Sequence, residues 1–370
     1  MVRFLCRDPI HLGPMRIAHY ILRYWLSDGG PIRAITDLSN QCALRGHEVA
    51  LITPDDREAP ESWKANSGPN HRKDHPRLIK VPGPSLPGGF FRPSELRRVR
   101  EVLEGFDVLH LHGVWVPSAM QAGSAARDIN KPYVLSVRGM LDDWCMEQQP
   151  LKKKAYMALG ARKMLERAAC VHCTAQFEFE QARKHFPRGR GLVIPNLMDL
   201  KPFATLPGPE TAIEKFEALR SGRPSVLFLS RVHVKKGIEI LVESAAIMRK
   251  RGEDINVLIA GDGDESYIQE VKAHVEKLGM SDRVYFLGMV TGPVKFSLFQ
   301  ACRLFVLPTY QENFGFVFYE SLGCATPVIT TPEVDTWPEL ESSGGAVIVK
   351  RDAQKYADAM SELIKDPERL

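Results

Sequence analysis

The chain reads as α/β, built as two doubly wound parallel-sheet domains in series. Two observations predict this. Short apolar runs of strand length alternate with helix-length amphipathic stretches, and such alternation implies parallel strands joined by crossover helices. The alternation then lapses over a proline-bearing irregular stretch and restarts at Ser225. At 370 residues the chain is long enough for two domains, each burying its own core. The expected layout is an extension at 1–14, a first domain at 15–196, a hinge at 197–224 and a second domain at 225–370, with a cleft between the domains.

The first ordered element is the run MRIAHYIL, a buried strand beginning at Met15. Asp28-Gly29-Gly30-Pro31 turns the chain, and Pro31 suits the first position of a helix. Ile32, Ile35, Leu38 and Cys42 make that helix's apolar stripe, Gly46 stops it, and EVALIT is the next strand. Residues 54–76 and 82–93 are rich in Pro, Gly and charge and read as mobile loops. A helix at 93–104, strand DVLHLH, a helix from about Pro117 and strand PYVLSV follow. Residues 151–168 read as one basic amphipathic helix, with Lys152, Lys153, Lys154, Arg162, Lys163 and Arg167 around Leu151, Ala155, Leu159 and Met164. VHCTA, a helix at 176–186 and GLVIPN close the first domain.

The second domain runs SVLFLS, a helix after Gly237, INVLIA, a helix after Asp264, RVYFLG, a helix after Thr291 and LFVLP. A loop, a short helix starting near Gly315 and a strand near Pro327 come next.

Composition narrows the function classes. Hydrophobic content of 44% and charged content of 25% are those of an ordinary globular protein. No run of about eighteen apolar residues suggests a membrane span, and MVRFLCRDPIHLGP lacks the apolar middle of a signal peptide. A cytoplasmic protein is therefore expected. Seven cysteines, an odd number, do not suggest a disulfide framework, and Cys170-x-x-Cys173 reads as two small residues of a buried strand. Residues 1–195 hold 29 Lys+Arg against 20 Asp+Glu, and the remainder 20 against 25. That basic first half suits an anionic acceptor or peripheral contact with an anionic membrane, as well as a solvated face. No nucleic-acid partner is expected.

The chemistry concentrates at strand ends, where ligands bind in open parallel sheets. Arg231 and Lys236 bracket a loop opening onto a helix near Gly237, a site for a diphosphate whose departing charge they would stabilise. Glu312 falls in the loop before the helix that starts near Gly315, and Glu320 lies further along that helix. An anion at the helix start, with a carboxylate for hydroxyls on either side, describes a nucleotide-sugar. His112, Gly113 and Arg138 also sit at strand ends. His110 shares the His112 face, deeper in the strand, and reads as packed. Asp262-Gly263-Asp264 reads as a turn and helix cap rather than a metal-diphosphate motif.

Arg231-x4-Lys236 followed by Glu312-x7-Glu320 resembles the retaining glycosyltransferases of family 4, which have the GT-B fold. GGP (29–31), RGHEV (45–49), DVLHLHGVW (107–115), SVRGM (136–140), IPN (194–196) and AGDG (260–263) belong to the same likeness. The resemblance implies two Rossmann-like domains, an acceptor-side one and a donor-binding one. It makes Arg231 and Lys236 the diphosphate ligands and electrophilic catalysts. Glu312 would hold sugar hydroxyls, with backbone N–H groups of Asn313, Phe314, Gly315 and Phe316 near sugar and phosphates. Glu320 would bind the ribose, Gly30 would lie against the diphosphate, and His112 would contact the transferred sugar, with Arg138 near the reacting centre.

No metal or cofactor is implied, since basic residues replace the cation. The donor would be a nucleotide-diphosphate sugar, and the acceptor a glycan or lipid-linked hydroxyl in cell-surface polysaccharide assembly. Transfer would proceed with retention. A glycosidase pair is not implied, because the two glutamates are assigned to opposite ends of the donor rather than to one bond. A non-catalytic nucleotide-sugar-binding protein, or an epimerase or phosphorylase on the same fold, is the alternative. IPNLMD stands where the family commonly has Asn-Gly-Val-Asp. The chain also ends before the family's final helices, so a short second domain without the crossover helix is expected.

Overall fold

The computed structural model describes residues 13–68 and 70–366, so most of the expected N-terminal extension (1–12) lies outside the described residues. The chain divides into two compact units, Met1–Met198 and Asp199–Leu370.

In the first unit β1 (Arg16–Tyr20), β2 (Glu48–Thr53), β3 (Arg77–Lys80), β4 (Val108–His112), β5 (Tyr133–Ser136), β6 (Cys170–Cys173) and β7 (Gly191–Val193) form a parallel sheet in the order β3-β2-β1-β4-β5-β6-β7. Its helices are α1 (Gly30–Leu44), α2 (Glu61–Ala65), α3 (Pro93–Glu104), α4 (Pro117–Asp128), α5 (Asp143–Glu147), α6 (Pro150–Tyr156), α7 (Arg162–Arg167) and α8 (Gln176–Arg183). The apolar runs are continuous because the strands are covered on both faces: Leu109 and Leu111 of β4 and Leu51 of β2 are fully buried. Each such side chain contributes about 1.5–3 kcal/mol.

In the second unit β8 (Ser225–Leu229), β9 (Asn256–Ala260), β10 (Val284–Gly288), β11 (Leu304–Leu307), β12 (Val328–Thr330) and β13 (Ala346–Ile348) pair in parallel in the order β10-β9-β8-β11-β12-β13. They carry α9 (Glu210–Lys215), α10 (Ile238–Lys250), α11 (Glu265–Lys277), α12 (Gly292–Ala301), α13 (Phe316–Gly323), α14 (Trp337–Ser342) and α15 (Ala353–Lys365). Val226, Leu227 and Phe228 of β8 and Val257, Leu258 and Ile259 of β9 are its buried centre. Asp264 caps α11, its Oδ1 accepting from the N–H groups of Ser266 (2.9 Å) and Tyr267 (3.3 Å).

Both strand orders reverse direction once, between β1 and β4 and between β8 and β11. At such a reversal the loops leave to opposite sides and open a crevice outside the carboxyl ends of the two strands.

Four local expectations differ from the structure. The helix expected at 151–168 is broken: α6 and α7 are joined by a π-turn at Met157–Ala161, where Gly160 departs from helical dihedrals. A Cβ there would come within 2.6 Å of the Met120 sulfur, so the glycine lets this turn lie against α4. Strands β3 and β13 escape the sequence reading, because RLIK is short and half charged and AVI is only three residues long. Residues 61–65, expected within a loop, form α2, and just after it Asn66 Nδ2 donates to the carbonyls of Arg72 (2.9 Å) and His75 (2.9 Å). The stretch expected as a hinge packs, from Phe203 on, against the core of the second unit. There Phe203 meets Phe296 with ring centroids 5.2 Å apart, and Ser297 Oγ accepts from the Ala212 N–H at 2.9 Å.

Candidate active site

In the second unit the two loops at the strand-order reversal are stitched together. The β8–α10 loop begins with exposed Arg231, and His233 Nδ1 accepts from the Lys235 N–H at 3.0 Å, capping a short 3-10 turn. The Lys235 carbonyl accepts from the Tyr310 N–H at 2.7 Å and from Thr309 Oγ1 at 3.0 Å, both on the loop after β11. Lys236, only 6% exposed, is thereby brought onto Glu312, and its ammonium donates to the Glu312 carboxylate. Burial pushes the Glu312 carboxyl up, but the charge and hydrogen bond of Lys236, with Lys235 and Arg231 behind, more than reverse it; the net shift is downward.

Glu312 is held from the far side as well. Its N–H donates to Glu333 O (3.2 Å) and its carbonyl accepts from the Asp335 N–H (2.8 Å), as in a parallel strand pair. Buried Asp335 accepts from Gln311 Nε2 at 3.0 Å and Asn313 Nδ2 at 3.1 Å, bracketing Glu312. Gly315, at φ 66°, is the N-cap of α13. Phe314 and Phe316 point inward: Phe314 is buried and stacks on Tyr319 at 4.8 Å, so their backbone rather than their rings is what the loop can offer a ligand. Glu320, 3% exposed, is paired with Lys295, whose Nζ lies 2.5 Å from Glu320 Oε1.

In the first unit the reversal between β1 and β4 gathers a polar cluster. Gly30 opens α1 just past the carboxyl end of β1, after Gly29 at φ 67°. On the strands, register opposes His19 and His110. His112 Nε2 lies 3.0 Å from His19 Nδ1, and Arg138 Nη2 lies 3.2 Å from His112 Nδ1. Arg138 is a non-glycine residue in the left-handed region (φ 51°), a conformation costing about 1–3 kcal/mol. Its Nη1 donates to Asn196 Oδ1 at 3.0 Å. Burial lowers the guanidinium to about 10, with Glu178 acting against that. Burial, assisted by Arg138, brings His19 down to about 3, and burial first, with the neighbouring histidines and Arg138, holds His110 and His112 well below the usual imidazole range. All three rings are neutral at pH 7.

His110 is not the deeper of the pair: it is half-buried, whereas His112 is 8% exposed. Its Nε2 lies 2.7 Å from Ser136 Oγ, which lies 2.7 Å from His172 Nδ1. The ligand nitrogens of His19, His110 and His112 lie within 4.8 Å of one another, close enough on distance to hold an ion. The same cluster, however, carries the Arg138 charge against it, and its rings stack, His110 on His112 at 4.3 Å. Sequence reasoning missed His19, Ser136, His172, Asn196, Lys295 and Asp335. For His19 a signal existed, an imidazole inside the apolar run of the first strand.

Two family descriptions match nearly end to end: "glycosyl transferase 4-like domain" over residues 29–197 and "glycosyl transferases group 1" over 209–370. The chain belongs to the group 1 glycosyltransferases. It is of the family 4 type and acts on nucleotide sugars. It is 26% identical over 363 residues to D-inositol 3-phosphate glycosyltransferase of Pseudarthrobacter chlorophenolicus, covering 92% of this chain and 83% of the relative. It is 23% identical to alpha-monoglucosyldiacylglycerol synthase of Streptococcus pneumoniae, covering 85% and 70%. Among solved structures, Anabaena HepE in complex with UDP-glucose superposes with a TM-score of 0.74 at 18% identity, covering 96% of this chain and 91% of HepE. Sucrose-phosphate synthase from Thermosynechococcus elongatus gives 0.72 at 20%, covering 95% and 90%. Two parallel-sheet Rossmann-like units are the GT-B architecture.

Proposed function

We propose that this glycosyltransferase moves a hexose, with retention and without a metal, from a nucleotide-diphosphate sugar to a hydroxyl of a glycan or lipid-linked acceptor. The observation that carries the reading is the pair of buried Lys236 and part-buried Glu312 at the second unit's strand-order reversal. A cation and a carboxylate side by side at a helix-opening loop match the two ends of a sugar diphosphate. Arg231 and Lys236 take the diphosphate and stabilise its charge as the glycosidic bond breaks. Lys236 turns from Glu312 towards phosphate, which leaves Glu312 to accept from sugar hydroxyls. Backbone N–H groups of residues 313–316 sit by sugar and phosphate, and Glu320 takes the ribose. The departing diphosphate oxygen accepts the acceptor's proton, so the chain needs no separate base. Gly30, His112 and Arg138 serve the acceptor-side unit.

The test is a thermal-shift panel of UDP, GDP, ADP and their sugars, with and without EDTA. One nucleotide raises the melting temperature in EDTA, by mass action on the folded state, and the shift vanishes in Arg231→Ala and Glu320→Ala. A shift that demands a divalent ion would return the diphosphate to Asp262 and Asp264.

Peripheral contact with an anionic membrane is part of the reading. Leu151 and Leu159 stand 81% and 82% exposed among Lys152, Lys154, Arg162 and Lys163. No helix of the described residues is long and apolar enough to cross a membrane. Phosphatidylglycerol vesicles should co-sediment the protein and phosphatidylcholine vesicles should not; Leu151→Glu with Leu159→Glu should cut the bound fraction at least ~tenfold. Equal sedimentation of that variant would leave the patch a solvated face.

A further inference from the structure

We propose that His19 is a positioning residue for His112. It accepts from the His112 ring and, with Arg138 on the other nitrogen, fixes that ring's orientation and protonation. The inference rests on the assignment of His112 to the sugar-transfer site.

The direction of every hydrogen bond in this chain follows from one group. A guanidinium only donates. Arg138 Nη2, 3.2 Å from His112 Nδ1, therefore requires that nitrogen to be an unprotonated acceptor. A neutral His112 must then carry its proton on Nε2, and that proton points at His19 Nδ1, 3.0 Å away. His19 in turn carries its own proton on Nε2. The parallel chain runs separately: His172 Nε2 lies 2.7 Å from the Ile194 carbonyl and so donates to it. His172 Nδ1 then accepts from Ser136 Oγ, whose oxygen accepts from His110 Nε2–H. His110 and His112 are thus ordered by different partners although they stack at 4.3 Å.

His19 is poorly explained by stability. It is 1% exposed in an apolar strand, and its Nε2 has no hydrogen-bond partner among the described residues. A buried donor left unsatisfied costs about 1–3 kcal/mol, which a leucine of similar volume at this position avoids. What His19 supplies that leucine does not is an acceptor for the His112 proton. With both ring nitrogens of His112 engaged, the ring is clamped edge to edge between β1 and the turn after β5. A sugar hydroxyl meeting His112 meets a neutral ring of fixed tautomer, not an acid or a base.

Ring nitrogen NMR on uniformly 15N-labelled protein tests this without any substrate. Wild-type His112 should show the Nε2–H tautomer, with a proton-bearing nitrogen in hydrogen-bond coupling to His19. In His19→Leu the His112 ring signals should shift and broaden. Release of nucleoside diphosphate from UDP-glucose, GDP-mannose and ADP-glucose gives the second readout. For whichever donor turns over, kcat should fall by ~10–100-fold in His19→Leu while the donor KM stays within about twofold. His19→Asn, whose amide oxygen can stand where Nδ1 stood, should recover at least about tenfold of that loss. A folded His19→Leu protein with unchanged His112 signals, or with wild-type kcat while His112→Ala is inactive, overturns the proposal. His112→Ala at wild-type kcat would instead overturn the assignment of His112 itself.

Discussion

Lys236→Met should reduce sugar transfer by about three orders of magnitude, the scale of losing one preorganised group that stabilises a developing anion. The same change should destabilise the second unit. Lys236 is the nearest charge to a mostly buried Glu312, and removing one partner of a buried pair leaves the other uncompensated, a cost on the order of 3 kcal/mol. The pH dependence has a definite sign. The folded-state Glu312 carboxyl is depressed, so the pair's contribution is fully present above the ordinary carboxylate value of about 4.3 and is lost as pH falls through the lower, folded value. In Lys236→Met that acid-sensitive contribution should disappear, leaving melting temperature flatter with pH below about 5. Lys236→Met with Glu312→Gln removes both charges and should regain most of the stability while transfer stays lost. If the double variant regains transfer as well, Lys236 acts through Glu312 alone and not on the diphosphate.

What a single sequence made legible here was local. Two domains and the succession of strands along the chain follow from apolar periodicity, and the structure has these strands, with β3 and β13 added. Arg231, Lys236, Glu312 and Glu320 stood out because each sits at a strand end or on a short helix, at spacings set within one loop. The pairings that organise those residues were not legible. Lys236 meets Glu312 across 76 residues and His19 meets His112 across 93. Such contacts depend on strand order and register, which neighbouring residues in sequence do not specify. Asp335 is the same case. It lies after β12 in a stretch with no pattern, and only the strand-like pairing of Glu312 with Val334 brings it between Gln311 and Asn313. The break at Gly160 was hidden because the apolar stripe of residues 151–168 runs on through it.

Gly237→Ala should be among the most damaging single-methyl changes in the second unit, and its reason is a carbonyl rather than a dihedral. Gly237 sits at φ +64°, and a Cβ built there would lie 2.1 Å from the Pro308 carbonyl oxygen, which is backbone and has no rotamer to escape into. Gly279 is the internal control: its φ is +67°, and a Cβ there meets nothing within 4 Å. Gly279→Ala therefore reports the left-handed conformation alone, about 1–2 kcal/mol, a fall of a few degrees in melting temperature. Gly237→Ala adds the separation of the β8–α10 loop from the loop after β11. The loss should exceed about 3 kcal/mol, or roughly 6–12 °C for a unit of this size. Because Lys235 O accepts from Tyr310 and Thr309 in that same contact, the displaced loop should also carry Lys236 off Glu312. Nucleotide-induced stabilisation should then fall in Gly237→Ala at temperatures where it is still folded, and persist in Gly279→Ala. Equal losses in the two variants would mean that the close approach of Pro308 contributes nothing and that only backbone strain distinguishes glycine at either position.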